Sequence, residues 1–296
     1  MRSQAAKIEA RPDMPAAHEF KRVLFGLHQR AVDRASIDLA AELAALLGLD
    51  MLGLYLQEPH LARLAELPFA REFDLPARTW RPIDVERYAR EYEASAFAAR
   101  QLFVATAATR GVTCEFEIAS VGAAQAIHSF SHSSDIVVVA EPMGAADRVV
   151  GLYPEFAASA IRSEGAVLML PPRVARKHGA IVAIARTSGD PSIDVARSIA
   201  AAANERLIVL VSDKSQAGQA GAAAGETGPG QFEKISLPAS AFASVQALSA
   251  ILDQLGERMI VLTRGTLGAG DETILKDLGA LRRIPVLILE PKAVPT

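Results

Sequence analysis

The run Ile136-Val137-Val138-Val139-Ala140 opens the stretch, Asp135 to Leu170, whose reading decides the fold. A turn with glycines follows it, then a short amphipathic helix, then a second apolar run, Ala166-Val167-Leu168-Met169-Leu170. Arg258 to Leu289 echoes this order, with Met259-Ile260-Val261-Leu262 and Pro285-Val286-Leu287-Ile288-Leu289 as its apolar runs. Continuous aliphatic runs leave no wet face, so they read as parallel strands buried on both sides, joined by crossover helices. In such sheets ligands sit beyond the carboxyl ends of the strands, which directs the search for chemistry to the turn after each first run.

Upstream of Asp135, Arg22 to Leu27 reads as a first strand, and Ile37, Ala40, Ala41, Ala44 and Leu47 recur at helical spacing before a C-cap at Gly48. Met51 to Leu56 is a second strand, residues 57–83 a proline-bearing connection, and Asp84 to Arg110 a helix. Val112 to Ala119 sets Cys114, Phe116 and Ile118 against Glu115 and Glu117, the period of an edge strand with one wet face. A short helix, Ala123 to Ser131, leads into the Asp135 strand. The order is β-α-β-α-β-α-β-α-β, and it restarts at Ala180. There Ala180 to Ala185, Leu207 to Val211 and Phe232 to Leu237 read as strands, Ile193 to Ala203 and Ala241 to Leu255 as helices. The Gln/Ala/Gly-rich residues 213–231 are expected to be a flexible linker. These boundaries predict a flexible N-terminal tail at 1–19, a first domain at 20–173, and a trimmed second domain at 178–292.

Composition narrows the function classes. A chain of 296 residues has room for about two domains. A net charge of −3 argues against nucleic acid or an anionic membrane as partner. No apolar run approaches the roughly 18 residues that span a bilayer, and the N-terminal segment lacks the apolar core of a signal peptide. The single Cys114 cannot form an intrachain disulfide and excludes a cysteine-based zinc site. A reducing, cytoplasmic setting is expected.

Isolated candidates for chemistry are few. His128 and His132 lie four apart, one face of a helix, with Asp135 nearby as a third metal ligand, but His132 also falls where a cation favours a helix end. His28 ends the first strand without a companion nucleophile or orienting carboxylate in sequence, and there is no Gly-x-Ser-x-Gly or Walker-type loop. Cys114 reads as a small core residue. Phe69, Phe73, Trp80, Tyr88, Tyr92, Phe97 and Phe103 concentrate the aromatics in one region, either as cover for the sheet or as a lid or partner-binding patch.

Two consecutive units of this order resemble tandem universal stress proteins. The likeness spans roughly residues 20–292 and rests on Arg22-Val23-Leu24-Phe25-Gly26-Leu27, Ala40-Ala41-Glu42-Leu43-Ala44, Ser134-Asp135-Ile136-Val137-Val138-Val139 and Pro285-Val286-Leu287-Ile288-Leu289. It implies an α/β fold: two tandem Rossmann-like three-layer domains, each with a parallel five-stranded sheet of order 3-2-1-4-5, the second trimmed. It also implies that the Ala166 and Pro285 edge strands pair internally, making a pseudo-dimer. ATP-binding members resemble one another in an Asp ending strand one and in Gly-x2-Gly-x9-Gly-(Ser/Thr) after strand four, whose amides hold phosphates. Here His28 and Arg186 stand at the Asp position. The first turn carries Glu141, Gly144, Asp147 and Gly151 at the wrong spacing, with Tyr153-Pro154 in place of Gly-Ser.

The second turn, Thr263-Arg264-Gly265-Thr266-Leu267-Gly268, keeps the Gly-x2-Gly core, whereas Gly279 is one residue off the family spacing and Ala280 replaces the hydroxyl residue. The resemblance therefore implies a non-enzymatic stress-response or signalling adaptor that acts through protein contacts without a cofactor. The alternative is a sensor binding ATP, another adenine nucleotide or a small anion through Arg264, Gly265 and Gly268. No catalytic or metal residue is assigned, the protein partner is unspecified, and a homodimer is possible.

Overall fold

In a computed structural model describing residues 20–28, 33–57, 64, 67, 69–149, 151–213, 226–228, 232–242, 244–268 and 278–291, the apolar runs pair into one sheet of 11 strands. The first part of the chain supplies β1 (Arg22–His28), α1 (Arg34–Leu47), β2 (Asp50–Leu56), β3 (Arg71–Asp74), β4 (Thr79–Pro82), α2 (Val85–Thr109), β5 (Cys114–Ala119), α3 (Ala123–Phe130), β6 (Asp135–Ala140), α4 (Leu152–Ile161) and β7 (Ala166–Leu170). The remainder supplies β8 (Ala180–Ala185), α5 (Pro191–Ala203), β9 (Leu207–Asp213), β10 (Glu226–Gly228), β11 (Phe232–Pro238), α6 (Val245–Leu252), β12 (Glu257–Thr263) and β13 (Val286–Leu289). The tail at 1–19 and most of the stretch expected to be a linker lie outside the described residues.

The sheet runs β10-β11-β9-β8-β12-β13-β7-β6-β1-β2-β5. Numbered within its own part of the chain, each run of five main strands has the order 3-2-1-4-5, all parallel. At the centre β13 and β7, the two strands expected to meet, pair antiparallel through Val286 with Met169, Leu287 with Leu168 and Ile288 with Val167. The aliphatic runs explain why the sheet is buried on both sides. Val23, Phe25, Ile136 and Val138 point into one apolar layer, and Leu24, Val137 and Val139 into the other.

Local chemistry sets the helix ends. Asp33 caps α1 by accepting from the amides of Ala35 and Ser36, and Gly48 closes it in the left-handed region at φ 70°. Asp190 caps α5 with Pro191 at its start, and Asn204 takes the left-handed closing position. No helix among the described residues is long and apolar enough to cross a membrane.

Three elements differ from expectation. The 57–83 connection contains a hairpin, β3 and β4, in which Phe73 faces Trp80 and which forms a separate two-stranded sheet. Within 213–231, Asp213 ends β9, and β10 pairs antiparallel with β11. The helix expected over 241–255 is shorter: Ala239–Phe242 form a 3-10 turn, and Ser244 caps α6 by accepting from the amide of Ala247, with the helix ending at Leu252.

Charged groups reinforce the central seam. The nearly buried Arg258 of β12 donates to Glu42 of α1 at 2.6 Å, joining the two parts of the chain. Glu257, fully buried, is met by Arg282 at 2.8 Å and by Arg176 at 3.5 Å. Gly26 in β1 lies directly under the ring of Phe156 from α4, so a Cβ at that position would sit inside van der Waals contact with the ring. Gly26→Ala is therefore expected to lower unfolding stability by about 1–3 kcal/mol in urea denaturation. Adding Phe156→Leu should recover part of the loss; an unchanged midpoint in the single variant would refute this packing account.

Candidate functional site

The strand order reverses between β1 and β6 and again between β8 and β12, so each reversal places a crevice at the carboxyl ends of those strands. In the first crevice His28 ends β1, and the loop after β6 brings Asp147 near enough for its charge to act on the imidazole. Arg148 organises that loop: its Nε donates to the carbonyl of Pro142 at 2.9 Å, and its guanidinium pairs with Glu141 at 3.2 Å. A loop whose carbonyls converge on its own arginine presents the wrong polarity to an anion. Burial holds the His28 imidazole below its ordinary value, opposed by the nearby Asp147 carboxylate. Tyr153, at the start of α4, is buried, and desolvation together with the Glu141 charge pushes its hydroxyl up to about 12.

The second crevice is tied together from both sides. Arg186, just past β8, donates from Nε to the carbonyl of Thr266 at 2.9 Å, bridging the strand-one position to the glycine turn. Asp190 collects the amide of Ser192 at 3.0 Å, the Ser192 hydroxyl at 2.7 Å and the Thr263 hydroxyl. Its carboxylate thereby occupies donors at the start of α5 that an anionic ligand would otherwise meet. Within the turn, the amide of Thr266 donates to Thr263 at 3.0 Å and that of Gly268 to Gly265 at 3.2 Å. Gly265 and Gly268 adopt φ of 81° and 107°, which accounts for both glycines as backbone requirements.

Arg264 goes elsewhere. Its guanidinium pairs with Glu290 at 2.6 Å and reaches the carbonyl of Ser163 at 3.4 Å, across the seam in the first part of the chain. Burial raises the Glu290 carboxyl, and Arg264 pulls it the other way. The structure therefore brings Gly265 and Gly268 together at the crevice and turns Arg264 toward the seam. The basic side chain at the turn is Arg186, whose guanidinium has no carboxylate partner among the described residues. Sequence reasoning placed Arg186 at the strand-one position but not its reach to Thr266. The Asp190-Pro191-Ser192 capping pattern was the available signal for the Asp190 cluster.

The remaining candidates disperse. Asp135 is buried and held by Arg22, whose Nε lies 3.1 Å from both carboxylate oxygens and which also donates to the carbonyl of Phe130. It further accepts the amide of His132 at 2.8 Å. Among the described residues no cluster of three His, Cys, Asp or Glu side chains could hold a metal, so His128, His132 and Asp135 do not assemble as one. Cys114 is half-buried against the core, and desolvation pushes its thiol up. The aromatics divide: Phe103 and Tyr92 pack on the sheet, while Phe69, Phe73, Trp80 and Phe97 are exposed.

No protein-family model matches the chain, and no curated protein matches it. Among solved structures it is similar to a universal stress protein from Archaeoglobus fulgidus, with 12% identity over 93% of this chain and 98% of that one and a TM-score of 0.55. It is also similar to a functionally unknown protein from Pseudomonas aeruginosa PAO1, with 12% identity over 93% of this chain and 94% of that one and a TM-score of 0.52. Likeness at this identity shows the fold: a universal-stress-protein-like, Rossmann-type α/β arrangement around a mostly parallel sheet.

His28 gives this region a pH signature. Its folded pKa lies below the unfolded value, so the unfolded state binds more protons just below that value. Stability is then intact above roughly pH 6.5 and falls as pH drops below it. Denaturant midpoints measured through this window should decline for the native chain and flatten in His28→Gln; parallel curves would overturn the assignment.

Proposed function

We propose that this chain is a tandem universal-stress-type protein whose two halves stand as an internal pseudo-dimer, acting in the cytoplasm as a non-enzymatic stress-response or signalling adaptor through protein contacts. The observation that carries the reading is the self-occupation of both crevices. Arg148 is folded back onto its own loop, and Arg186 is bonded to Thr266 beside a saturated Asp190. A phosphate entering either crevice would have to break bonds already made, and in the first it would approach Glu141. Neither crevice offers a carboxylate from the end of strand one to an adenine amino group, since His28 and Arg186 stand there.

A second reading, a small-anion or nucleotide sensor at the Gly265–Gly268 turn, is favoured by one observation. The Arg186 guanidinium keeps nitrogens without a carboxylate partner among the described residues. Phosphate recognition by such a group is chemically apt. In that case Arg186→Gln abolishes binding while leaving the fold intact.

Calorimetric titration with ATP, ADP and AMP separates the two. The adaptor reading expects no heat above dilution for any of them. Micromolar affinity for one, lost in Arg186→Gln, would replace it with the sensor.

A further inference from the structure

Among the described residues, nine of the fourteen exposed large apolar side chains fall between residues 64 and 97. The most open are Phe69 at 77%, Leu75 at 76%, Trp80 at 64% and Phe97 at 64%. Within this stretch Phe73 and Trp80 form one contiguous, water-facing aromatic pair, apolar exposure of the kind that marks an interaction surface. The hairpin explains how it arises. Glu72 faces α2, accepting from Arg87 Nη2 at 2.7 Å and the Tyr88 hydroxyl at 2.8 Å, and it also takes Arg81 Nε at 2.6 Å. Side chains alternate along a strand, so the neighbouring cross-strand pair, Phe73 and Trp80, stands on the opposite face with ring centroids 5.2 Å apart. A two-stranded sheet held to its helix through one carboxylate, with its aromatic pair facing water, lacks the cover that such hairpins need.

Charge identifies the cover. Residues 71–93 hold five arginines and six carboxylates, 5 − 6 = −1, which opposes nucleic acid or an anionic lipid surface. Most of these charges are already paired, including Glu72 with Arg81 and Arg87, and Asp74 with Arg81. The exceptions are sorted by element. Arg71 and Arg78 on the hairpin have no carboxylate partner among the described residues, and neither does Glu93 on α2, while Glu86 meets only Arg90, at 3.8 Å. The surface therefore carries two unpaired cations on one element, and on the adjacent one an unpaired anion, Glu93, with Glu86 held only at 3.8 Å by Arg90.

We infer that this surface is a self-complementary interface, and that its occupant is a second copy of this chain. In a two-fold arrangement the hairpin of each copy lies against α2 of the other, so every Arg–Glu contact forms twice and the Phe73–Trp80 pairs are buried together. The inference rests on the hairpin's geometry and charges alone, independent of the crevices.

Trp80 is the only tryptophan, which makes its emission a direct reporter of burial. Sedimentation velocity of the full chain at rising concentration should show a monomer-to-dimer shift, accompanied by a blue shift of Trp80 emission. Phe73→Ser with Trp80→Ser should remain monomeric with unchanged circular dichroism. Arg71→Glu with Arg78→Glu should weaken the dimer roughly tenfold, and adding Glu86→Arg with Glu93→Arg should restore it. The inference fails if the native chain stays monomeric throughout, or if the serine variant still dimerises. It also fails if the reversed charges are not rescued, or if Trp80 emission shifts only on adding phosphatidylcholine vesicles.

Discussion

The antiparallel pairing of β7 with β13 is the constraint on which the rest of the architecture depends. Each is the last strand of its five-strand run, and alone each would present a row of unpaired backbone groups flanked by aliphatic side chains. Pairing them removes both edges and makes one continuous hydrophobic layer on each face of the sheet. It also has a directional consequence. Strand β6 is parallel to β7 and β12 is parallel to β13, so β6 and β12 run in opposite senses. The two crevices consequently open at opposite ends of the sheet and cannot close on one ligand together. Arg258 shows how the seam is completed: it leaves the start of β12 and reaches α1 of the other half, where Glu42 neutralises a charge that burial would otherwise make costly.

Within that frame, the polarity of the crevices follows from where the arginines are anchored. An anion site needs amides and cations aimed outward with their bonding capacity unspent. Arg148 and Arg186 instead donate to main-chain carbonyls of the loops that would have to embrace a phosphate, and Asp190 fills the start of α5. The glycines at 265 and 268 persist for a separate reason, their left-handed φ, which a tight strand-to-loop turn requires whether or not a ligand binds. A glycine spacing is therefore compatible with either outcome. The side chains around it decide: Asp190 is engaged with Ser192 and Thr263, whereas Arg186 commits its Nε to Thr266 and has no carboxylate partner among the described residues.

This division also explains what was readable in the sequence. Strands such as Ile136-Val137-Val138-Val139 were legible because burial on both faces demands an unbroken aliphatic run. The meeting of β7 with β13 was accessible only through the family resemblance, since no local pattern specifies an antiparallel partner more than a hundred residues away. Hairpin β3–β4 was hidden because Arg71-Glu72-Phe73-Asp74 and Thr79-Trp80-Arg81-Pro82 bury almost nothing, so they carry no core-facing periodicity. Strand β10 was hidden by the glycine-rich composition around it. At the second turn, the side chain reaching Thr266 belongs to Arg186, 80 residues upstream. Arg264, adjacent in sequence to the glycines, leaves for Glu290. Neighbourhood in sequence misled because a strand end brings distant residues closer than a turn keeps its own.

The outer end of the sheet obeys different physics from the seam. Edge strand β5 presents Glu115 and Glu117 to water, and α2 behind it is 25 residues long with only five fully buried side chains. Its anchoring is confined to the later turns, where Ala96, Ala99, Phe103 and Ala107 join the core and Phe103 packs against Phe25 and Phe116. Its first turns and the hairpin tied to them by Glu72 form a polar and aromatic outwork at the outer end of the sheet. Substitutions there are consequently well tolerated by the fold, whereas the crevices are locked by bonds that also hold loops in place. On this scaffold, freedom to change lies at the end remote from the seam, and a contact surface there can alter without disturbing the pairing that fuses the sheet.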